Sequence, residues 1–397
     1  MGSHHLKIFC FIWNTQSVRL SESLNPSEIN NHRNGILAPY QFSADIPDFF
    51  PTLIEKIQKE NPDLVVIGFQ EDASPGSYFH SHLLPTEMPK YDYKLVKRTR
   101  LIGVGDTTYQ SLFNLDFKMR GLRISIYAQN DLASQISEEE DSLAHEMGET
   151  QQEYVCSTLF RNKGGTASYI RIPRIGTIAF INAHLPFNSK SLIESALRHD
   201  NMIRETEVQN QNISFNEIYR HLVLDLKSPP DYVIYMGDFN YRNKPKTNAF
   251  LLAGALEERG CKKLYQEIYK NCDELYESMH IKNNVYKFKE GINDEGPLFL
   301  PTCKMSKTRQ ENYDKGLNND GDFDVTVPYT PTVDYKHRTC FKTGNYSQRT
   351  PSWTDRIFYL TLNEKSPELK CIYYERFDVG KTMKKSDHAG VISILTI

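Results

Sequence analysis

The sequence lacks the features that define several large classes of protein. Basic and acidic residues nearly balance, with 47 Lys and Arg against 50 Asp and Glu, so the net charge of -3 gives no general attraction to nucleic acid or acidic membranes. No apolar run approaches the roughly 20 residues that cross a bilayer. The best runs are Asp63–Phe69 and Tyr232–Met236. An anionic partner must therefore meet a local cluster of residues, and contact with a membrane is expected to be peripheral.

Cysteine is scarce, and the first residues do not have the pattern of a signal peptide. The seven cysteines lie far apart, without the closely spaced pairs of a zinc site, which favours a reducing, cytoplasmic setting. The start, Met1–His5, lacks the basic region and apolar run of a signal peptide, and its two histidines resemble the remnant of an expression tag. We therefore assign residues 1–5 to a tag and residues 6–397 to one folded domain.

What the chain does contain is a mixture of strand and helix patterns from end to end. With 39% apolar and 24% charged residues it has the composition of a globular protein, and no repeat or Gly/Ser-rich linker divides it. Polar stretches at Asp131–Gln152 and Lys304–Asn345 are expected to be surface loops. Short apolar, β-branched runs predict strands at Lys7–Ile12, Leu64–Phe69, Leu122–Tyr127, Tyr154–Phe160, Thr177–Ile181, Tyr232–Met236, Arg356–Leu360 and Val391–Ile397. Helical spacing predicts helices at Ile46–Glu60, Ser191–Val208, Phe215–Leu226 and Lys262–Met279.

Polar side chains follow several of these strands directly. The segment Gly237–Arg242 comes after one buried run, Glu71 ends another, and Asn14 ends the first. A carboxylate at such a point suits a hard cation such as Mg²⁺, which takes oxygen ligands, and the amide oxygen of Asn14 can be a neutral partner. Each feature also has a simpler explanation, because Gly, Asp and Asn are common turn residues and a Glu at a strand end is often only exposed.

Three further segments place polar groups next to predicted strands. His184 follows one strand, Asp355 precedes another, and Asp387 and His388 precede the last. A lone histidine is more often structural than catalytic. Six strand ends that all deliver polar groups, however, favour a single shared site at one rim of the fold.

Three of these segments resemble the signature motifs of the inositol polyphosphate 5-phosphatases, in the usual order. These phosphatases belong to the endonuclease/exonuclease/phosphatase superfamily. The resemblance extends over nearly the whole chain. It rests on the signature segments Gly237–Arg242, Pro351–Ile357 and Ser386–His388, and on the further segments Trp13–Asn14, Ile67–Glu71, Asn162–Gly165, Asn182–Leu185, Phe288–Gly291 and Pro301–Lys304.

The resemblance implies an α/β fold, a two-sheet sandwich flanked by helices in a single catalytic domain, with the site at one edge of the paired sheets. It also implies Mg²⁺ as the cofactor. The expected metal residues are Glu71, Asn14 and Asp387.

The resemblance also assigns catalytic roles. Asp238 would orient and deprotonate the attacking water, and Asn240 would hold that water or a phosphoryl oxygen. His388 would donate to a phosphoryl oxygen, oriented by Asp355, and His184 would add another donor. None of the seven cysteines needs a catalytic role in this mechanism, so no covalent phosphoenzyme is expected.

Four basic residues are expected to contact the substrate: Lys304, which would bind the phosphate next to the scissile one, and Lys163, Arg349 and Arg242. The chain departs from the family pattern nearby. Cys303 stands where a Tyr is usual, Ser347 or Gln348 replaces a basic residue, and Ala389–Gly390 replaces a Lys-Pro pair.

The expected activity is Mg²⁺-dependent removal of the 5-phosphate from a phosphoinositide or a soluble inositol polyphosphate by a cytoplasmic protein in peripheral contact with an anionic membrane. Two alternatives remain open. A metal-dependent nuclease of the same superfamily would use much the same catalytic set, although balanced charge argues against a nucleic-acid partner. The second alternative is a non-catalytic phosphoinositide-binding module. The presence of the full set of polar residues argues against it.

Overall fold

Two six-stranded β-sheets form the centre of the molecule. The computed structural model describes residues 5–16, 46–72, 79–104, 119–147, 150–156, 163–187, 201–244, 262–282, 287–303 and 352–397. The first sheet has the order β11-β12-β1-β2-β4-β3 and the second the order β5-β6-β7-β8-β10-β9. The strands are β1 Lys7–Asn14, β2 Leu64–Asp72, β3 Tyr93–Val104, β4 Met119–Gln129, β5 Gln151–Val155, β6 Gly164–Ile172, β7 Gly176–His184, β8 Tyr232–Asp238, β9 Lys289–Glu290, β10 Asp355–Thr361, β11 Lys370–Phe377 and β12 Gly390–Thr396.

Each sheet has one parallel pair at its middle. Strand β1 runs parallel to β2 and β7 runs parallel to β8, while the flanking pairs are antiparallel. The carboxyl ends of the parallel strands therefore lie at one rim. The antiparallel strands β10 and β12 begin at that rim, which brings the start of each beside the ends of β8 and β1.

Three apolar layers stabilise this arrangement. Ile12, Val66 and Ile126 of the first sheet are buried against side chains such as Phe180 and Ile234 of the second sheet. The burial of one such side chain contributes roughly 1.5–3 kcal/mol. The other two layers lie on the outer faces of the sheets. The predicted two-sheet α/β sandwich flanked by helices is confirmed.

Helices cover both outer faces. Helix α1 buries Phe50, Leu53, Ile54 and Ile57 against the first sheet. The helical segments are α1 Phe50–Glu60, a π-helix Phe79–Leu83, α2 Leu84–Glu87, a 3-10 helix Met88–Tyr91, α3 Asn130–Met147, α4 Asn201–Tyr219, a π-helix Arg220–Leu224, α5 Lys262–Cys272, α6 Glu274–Tyr276, a π-helix Glu277–Ile281, a 3-10 helix Ile292–Asp294 and α7 Gly380–Lys384. Among the helices in the described ranges, none is long and apolar enough to cross a membrane.

Two predictions of local structure were wrong. The segment Asp131–Gln152, expected to be a surface loop, is mostly helix α3, because Ala133, Ile136, Leu143 and Met147 recur at helical spacing and are buried. The break expected between two helices near Val208 does not exist, since α4 continues through the polar run that follows. The predicted loop Lys304–Asn345 lies outside the described residues.

Candidate functional site

The strand register aligns three of the predicted catalytic residues. His184 at the end of β7 lies opposite Asp238 at the end of β8, and Asp355 at the start of β10 lies opposite Asp238 on its other side. Gly237 permits this close approach. Its φ is 144°, and a Cβ at this position would lie 2.0 Å from the carbonyl oxygen of Ala183. A larger residue at 237 would therefore push β8 away from β7.

Asp238 is buried at the centre of the site. Its Oδ2 accepts a hydrogen bond from Asn14 Nδ2 at 2.8 Å and lies 3.3 Å from His184 Nε2. Burial by itself would raise the pKa of Asp238, but the hydrogen bond with His184 and the positive charges of His388 and Lys163 outweigh it and lower the pKa. Asp238 is therefore ionised at neutral pH.

Glu71 and Lys163 complete one side of the site. Lys163 Nζ contacts His184 Nε2 and lies 4.0 Å from Glu71 Oε1. Burial, followed by the charge of Lys163, lowers the pKa of His184, so its ring is neutral. Glu71 has a positive φ of 52° and lies where the register of β2 with β4 shifts. Such a bulge re-aims a side chain, and left-handed backbone at a non-glycine residue is typical of functional sites.

His388 forms a dyad with Asp355 on the other side of the site. Its Nδ1 lies 2.8 Å from Asp355 Oδ2, which also accepts hydrogen bonds from the hydroxyls of Thr302 and Thr354. Burial alone would lower the pKa of His388, but the Asp355 carboxylate raises it well above the usual value. Its Nε2 lies 3.4 Å from Cys303 Sγ and 4.0 Å from Asp238 Oδ2.

The donor set around Asp238 fits a hard divalent cation. Ligand atoms of Asp238, Asp355 and His388 lie within 4.8 Å of one another. The ring of His388 is already held by Asp355, so the oxygen atoms of Glu71, Asn14, Asp238 and Asp387 are the better candidates for Mg²⁺. Asp387 Oδ1 lies 3.6 Å from His388 Nε2, which places this predicted metal residue beside the site as well.

Asn240 and Arg242 form a buried pair behind Asp238. The amide of Asn240 donates to Leu185 O at 3.0 Å and accepts from Arg242 Nη2 at 3.0 Å. The guanidinium of Arg242 also donates to Cys303 Sγ at 3.2 Å and lies over the ring of Phe187. The contacts of Arg242, predicted to bind substrate, are thus those of a residue that supports Asn240. Of the remaining predicted substrate residues, Lys163 lies at the site as described above, and Lys304 and Arg349 lie outside the described residues.

The sequence assigned no role to two supporting residues, although Asn182 lies in the matched segment Asn182–Leu185. Gln211 of α4 is buried and donates to Asn240 O at 3.0 Å and to Pro186 O at 3.3 Å, so it joins the segments that follow β8 and β7. Asn182 of β7 joins the two sheets. Its Nδ2 donates to Phe69 O and Arg123 O, and its Oδ1 accepts from Gln70. The role of these amides depends on their surroundings in the fold, and Gln211 itself lies in a polar run of the sequence.

A second buried charged cluster lies on the other side of β10. Arg356 donates through Nε to Glu290 Oε1 at 2.6 Å and through Nη1 to both oxygens of Asp273 at 3.1 Å. The hydroxyls of Tyr269 and Tyr374 donate to the two oxygens of Glu290. Burial raises the pKa of Asp273 to about 6 although Arg356 lowers it. This cluster ties β9, β10 and the start of α6 together.

Comparison with known families assigns the fold and the class of chemistry. A family model described as endonuclease/exonuclease/phosphatase family 2 matches residues 12–320 and 323–394. The chain belongs to this family, whose superfamily consists of divalent-metal-dependent hydrolases that act on phosphoesters. No curated protein sequence matches the chain.

Several solved structures are similar to this chain at low sequence identity. A nitrophorin from Cimex, solved as the ferrous NO complex of a point mutant, is 13% identical, with 100% of this chain and 99% of that chain covered and a TM-score of 0.53. An endonuclease/exonuclease/phosphatase from Beutenbergia cavernae is 11% identical over 99% of this chain and 72% of that one, with a TM-score of 0.43. D. rerio TDP2, complexed with a single-stranded DNA product, is 12% identical over 98% of both chains, with a TM-score of 0.40.

Proposed function

We propose that this chain is a Mg²⁺-dependent phosphatase that removes the 5-phosphate from phosphoinositides, such as phosphatidylinositol 4,5-bisphosphate or 3,4,5-trisphosphate, or from soluble inositol polyphosphates. The observation that carries the proposal is the convergence of the motif residues. Asp238, His184, Asp355 and His388 come from different strand ends and lie in contact at one rim. The resemblance of the motifs to the inositol polyphosphate 5-phosphatases supplies the substrate class.

Phosphoester hydrolysis needs a positioned water and neutralisation of the phosphoryl charge, and both are mainly matters of geometry and electrostatics. Mg²⁺, when bound, neutralises negative charge on the phosphate. Glu71, Asn14 and Asp387 are the residues that would hold it. Asp238 orients the attacking water. A general base works best when its pKa is near the working pH, so the lowered pKa of Asp238 suits orientation of the water more than retention of its proton.

The donor groups that surround Asp238 have complementary roles. His388, held by Asp355 and protonated, donates from Nε2 to a phosphoryl oxygen. Neutral His184 donates to the charge that develops in the transition state, and Lys163 brings a positive charge to the same side. Asn240 has a second amide hydrogen beyond the one donated to Leu185 O, and it is available to the water.

The substrate-binding part of the proposal rests on basic residues. Lys304 would bind the phosphate next to the scissile one and Arg349 would also contact the substrate, while Lys163 faces the reacting phosphate. Arg242 acts through Asn240. The protein would work in the cytoplasm, in peripheral contact with an anionic membrane when its substrate is a lipid.

A phosphate-release assay with Mg²⁺ tests the class of substrate. The panel contains inositol lipids, soluble inositol polyphosphates and abasic DNA, and we expect release only from the inositol compounds. Cleavage of DNA alone would establish a nuclease. Binding of inositol lipids without release would establish a non-catalytic module.

A comparison of the wild type and Lys304→Ala on two substrates tests which phosphate Lys304 recognises. Because a hydrogen bond to a charged group contributes roughly 1.5–3 kcal/mol, Lys304→Ala should lower kcat/KM about 10- to 100-fold on a substrate with the adjacent phosphate. It should have little effect on a substrate without that phosphate. Equal losses on the two substrates would remove Lys304 from recognition.

A further inference from the structure

Three arginines on β3 and β4 are crowded together in a way that costs stability. Arg100 lies directly opposite Arg123 in the register of the two strands, and Arg98 lies opposite Ser125, the next position on the same face. Like charges directly opposite one another in a β-ladder repel. Asp72 compensates one of the three, since its Oδ2 lies 2.6 Å from Arg123 Nε.

The remaining charge is not compensated nearby. Within the part of the chain that the structure describes, exposed Arg100 has no acidic partner within 4.0 Å, and Arg98 Nε is buried without a hydrogen-bond partner. His80 does not relieve the repulsion. Its ring lies close to Arg98 and Arg123, and burial together with their charges lowers its pKa well below the usual value, so it is neutral. A cluster that opposes folding locally is typical of a binding site.

The arginines line a groove that runs from the first sheet to the second. The groove encloses about 860 Å³ and has mostly polar walls, to which β5 and β6 contribute Gln151, Gln152 and Thr166. Two carboxylates also line it. Asp225 lies 3.8 Å from Arg220, and Glu153 is exposed on the edge strand β5. The groove therefore combines amide and hydroxyl donors and two carboxylates with two arginines that have no acidic partner within 4.0 Å among the described residues.

We propose that this groove binds a phosphate-bearing anion, separately from the catalytic rim. Guanidinium groups bind phosphate oxygens in pairs of parallel hydrogen bonds, and two adjacent arginines match two phosphoryl groups. The groove lies next to the site, since Asp72 directly follows Glu71 and the carbonyl of Arg123 accepts from Asn182. The anion is either a distal phosphate of the substrate or a separate phosphorylated molecule. Binding of a phosphate-bearing anion in the groove does not require that the substrate be the one proposed above.

Calorimetric titration with inorganic pyrophosphate and with inositol hexakisphosphate tests the groove without any turnover. The full chain is titrated in EDTA, so binding is measured even if the proposed activity is absent. Arg98→Gln and Arg100→Gln should each weaken binding at least about tenfold, as expected for the loss of a hydrogen bond between charged groups. The control, Lys94→Gln, changes an exposed lysine near the start of β3 and should leave the affinity unchanged. Unchanged affinity in the arginine variants, or an equal loss in the control, overturns the proposal.

A stability measurement separates binding from a structural role. Without anion, Arg100→Gln should raise the midpoint of thermal unfolding by roughly 1 °C, because it removes a like-charge contact. A variant that loses both stability and anion affinity would indicate a structural arginine and contradict the proposal.

Kinetics then distinguish the two sources of phosphate. If the groove binds the substrate, Arg100→Gln raises KM with kcat unchanged and pyrophosphate competes with the substrate. If it binds a separate anion, KM stays at the wild-type value in the absence of pyrophosphate.

Discussion

The cluster around Asp238 and the cluster around Arg356 are both buried and both charged, and they start from neighbouring residues of β10. They differ in how fully their hydrogen bonds are satisfied. In the Arg356 cluster each oxygen of Glu290 accepts from one nitrogen of Arg356 and one tyrosine hydroxyl. Around Asp238, His184 and His388 stand at 3.3 and 4.0 Å, beyond the length of a short charged hydrogen bond. The saturated cluster has no capacity for a reactant, whereas the other has donors that a phosphate and a water can still use.

The largest expected effect is a loss of kcat in variants of the Asp238 cluster that fold normally. Asp238→Asn and His388→Ala should each lower kcat by about 10²- to 10⁴-fold, because these groups act on the reacting atoms. The midpoint of urea unfolding should change little. Turnover of a tenth or more of wild type in a folded variant would show that the residue has no catalytic role.

The Arg356 cluster should respond in the opposite way. Arg356→Met leaves Asp273 and Glu290 buried without their counter-charge, which should lower the free energy of unfolding by about 3–5 kcal/mol in a urea titration. Arg171→Gln is the matched control. It removes a surface ion pair with Glu146 and should cost less than about 1 kcal/mol. Similar losses in the two variants would contradict the structural role of the buried cluster.

A smaller effect concerns the pH dependence of stability. The pKa of Asp273 is raised to about 6 by burial, above the value of about 3.9 expected in the unfolded chain. Its contribution to stability is therefore fully present below about pH 4 and is lost as the pH rises through 6. Relative to Asp273→Asn, the wild type should lose up to about 3 kcal/mol over that interval. If the free energy of unfolding changes with pH in the same way in the wild type and in Asp273→Asn, the ionisation of Asp273 does not affect stability.

The smallest effect concerns the metal. Glu71→Ala should weaken Mg²⁺ about 10- to 100-fold, so that higher Mg²⁺ partly restores activity. EDTA should abolish wild-type activity. Glu60→Ala, which changes a partly exposed carboxylate paired with Lys7, is the control and should keep the wild-type Mg²⁺ dependence. Full activity in excess EDTA would remove the metal from the mechanism.

The candidate site was easier to predict from the sequence than the elements that support it. Asn14, Glu71, His184, Asp238 and Asp355 each follow or begin an apolar run, and a parallel register brings such positions together. Strand β3 was missed because its lysines and arginines mask the alternation of the strand. Helix α3 was missed because its acidic residues resemble a loop.

The contacts of Gln211 and Arg242 could not be predicted either. They depend on segments that are far apart in the sequence and meet only in the folded chain. The roles assigned to Lys304 and Arg349 stay predictions.

The side chain of Asn182 links the candidate site to the separation of the two sheets. One amide bonds to β2 and β4 across the interface between the sheets, and the residues at the rim are divided between those two sheets. Separating the sheets exposes this amide and disperses the rim residues in the same event. Backbone amides of β2 and β7 should therefore exchange their hydrogens with solvent in one cooperative step, at a free energy close to that of global unfolding.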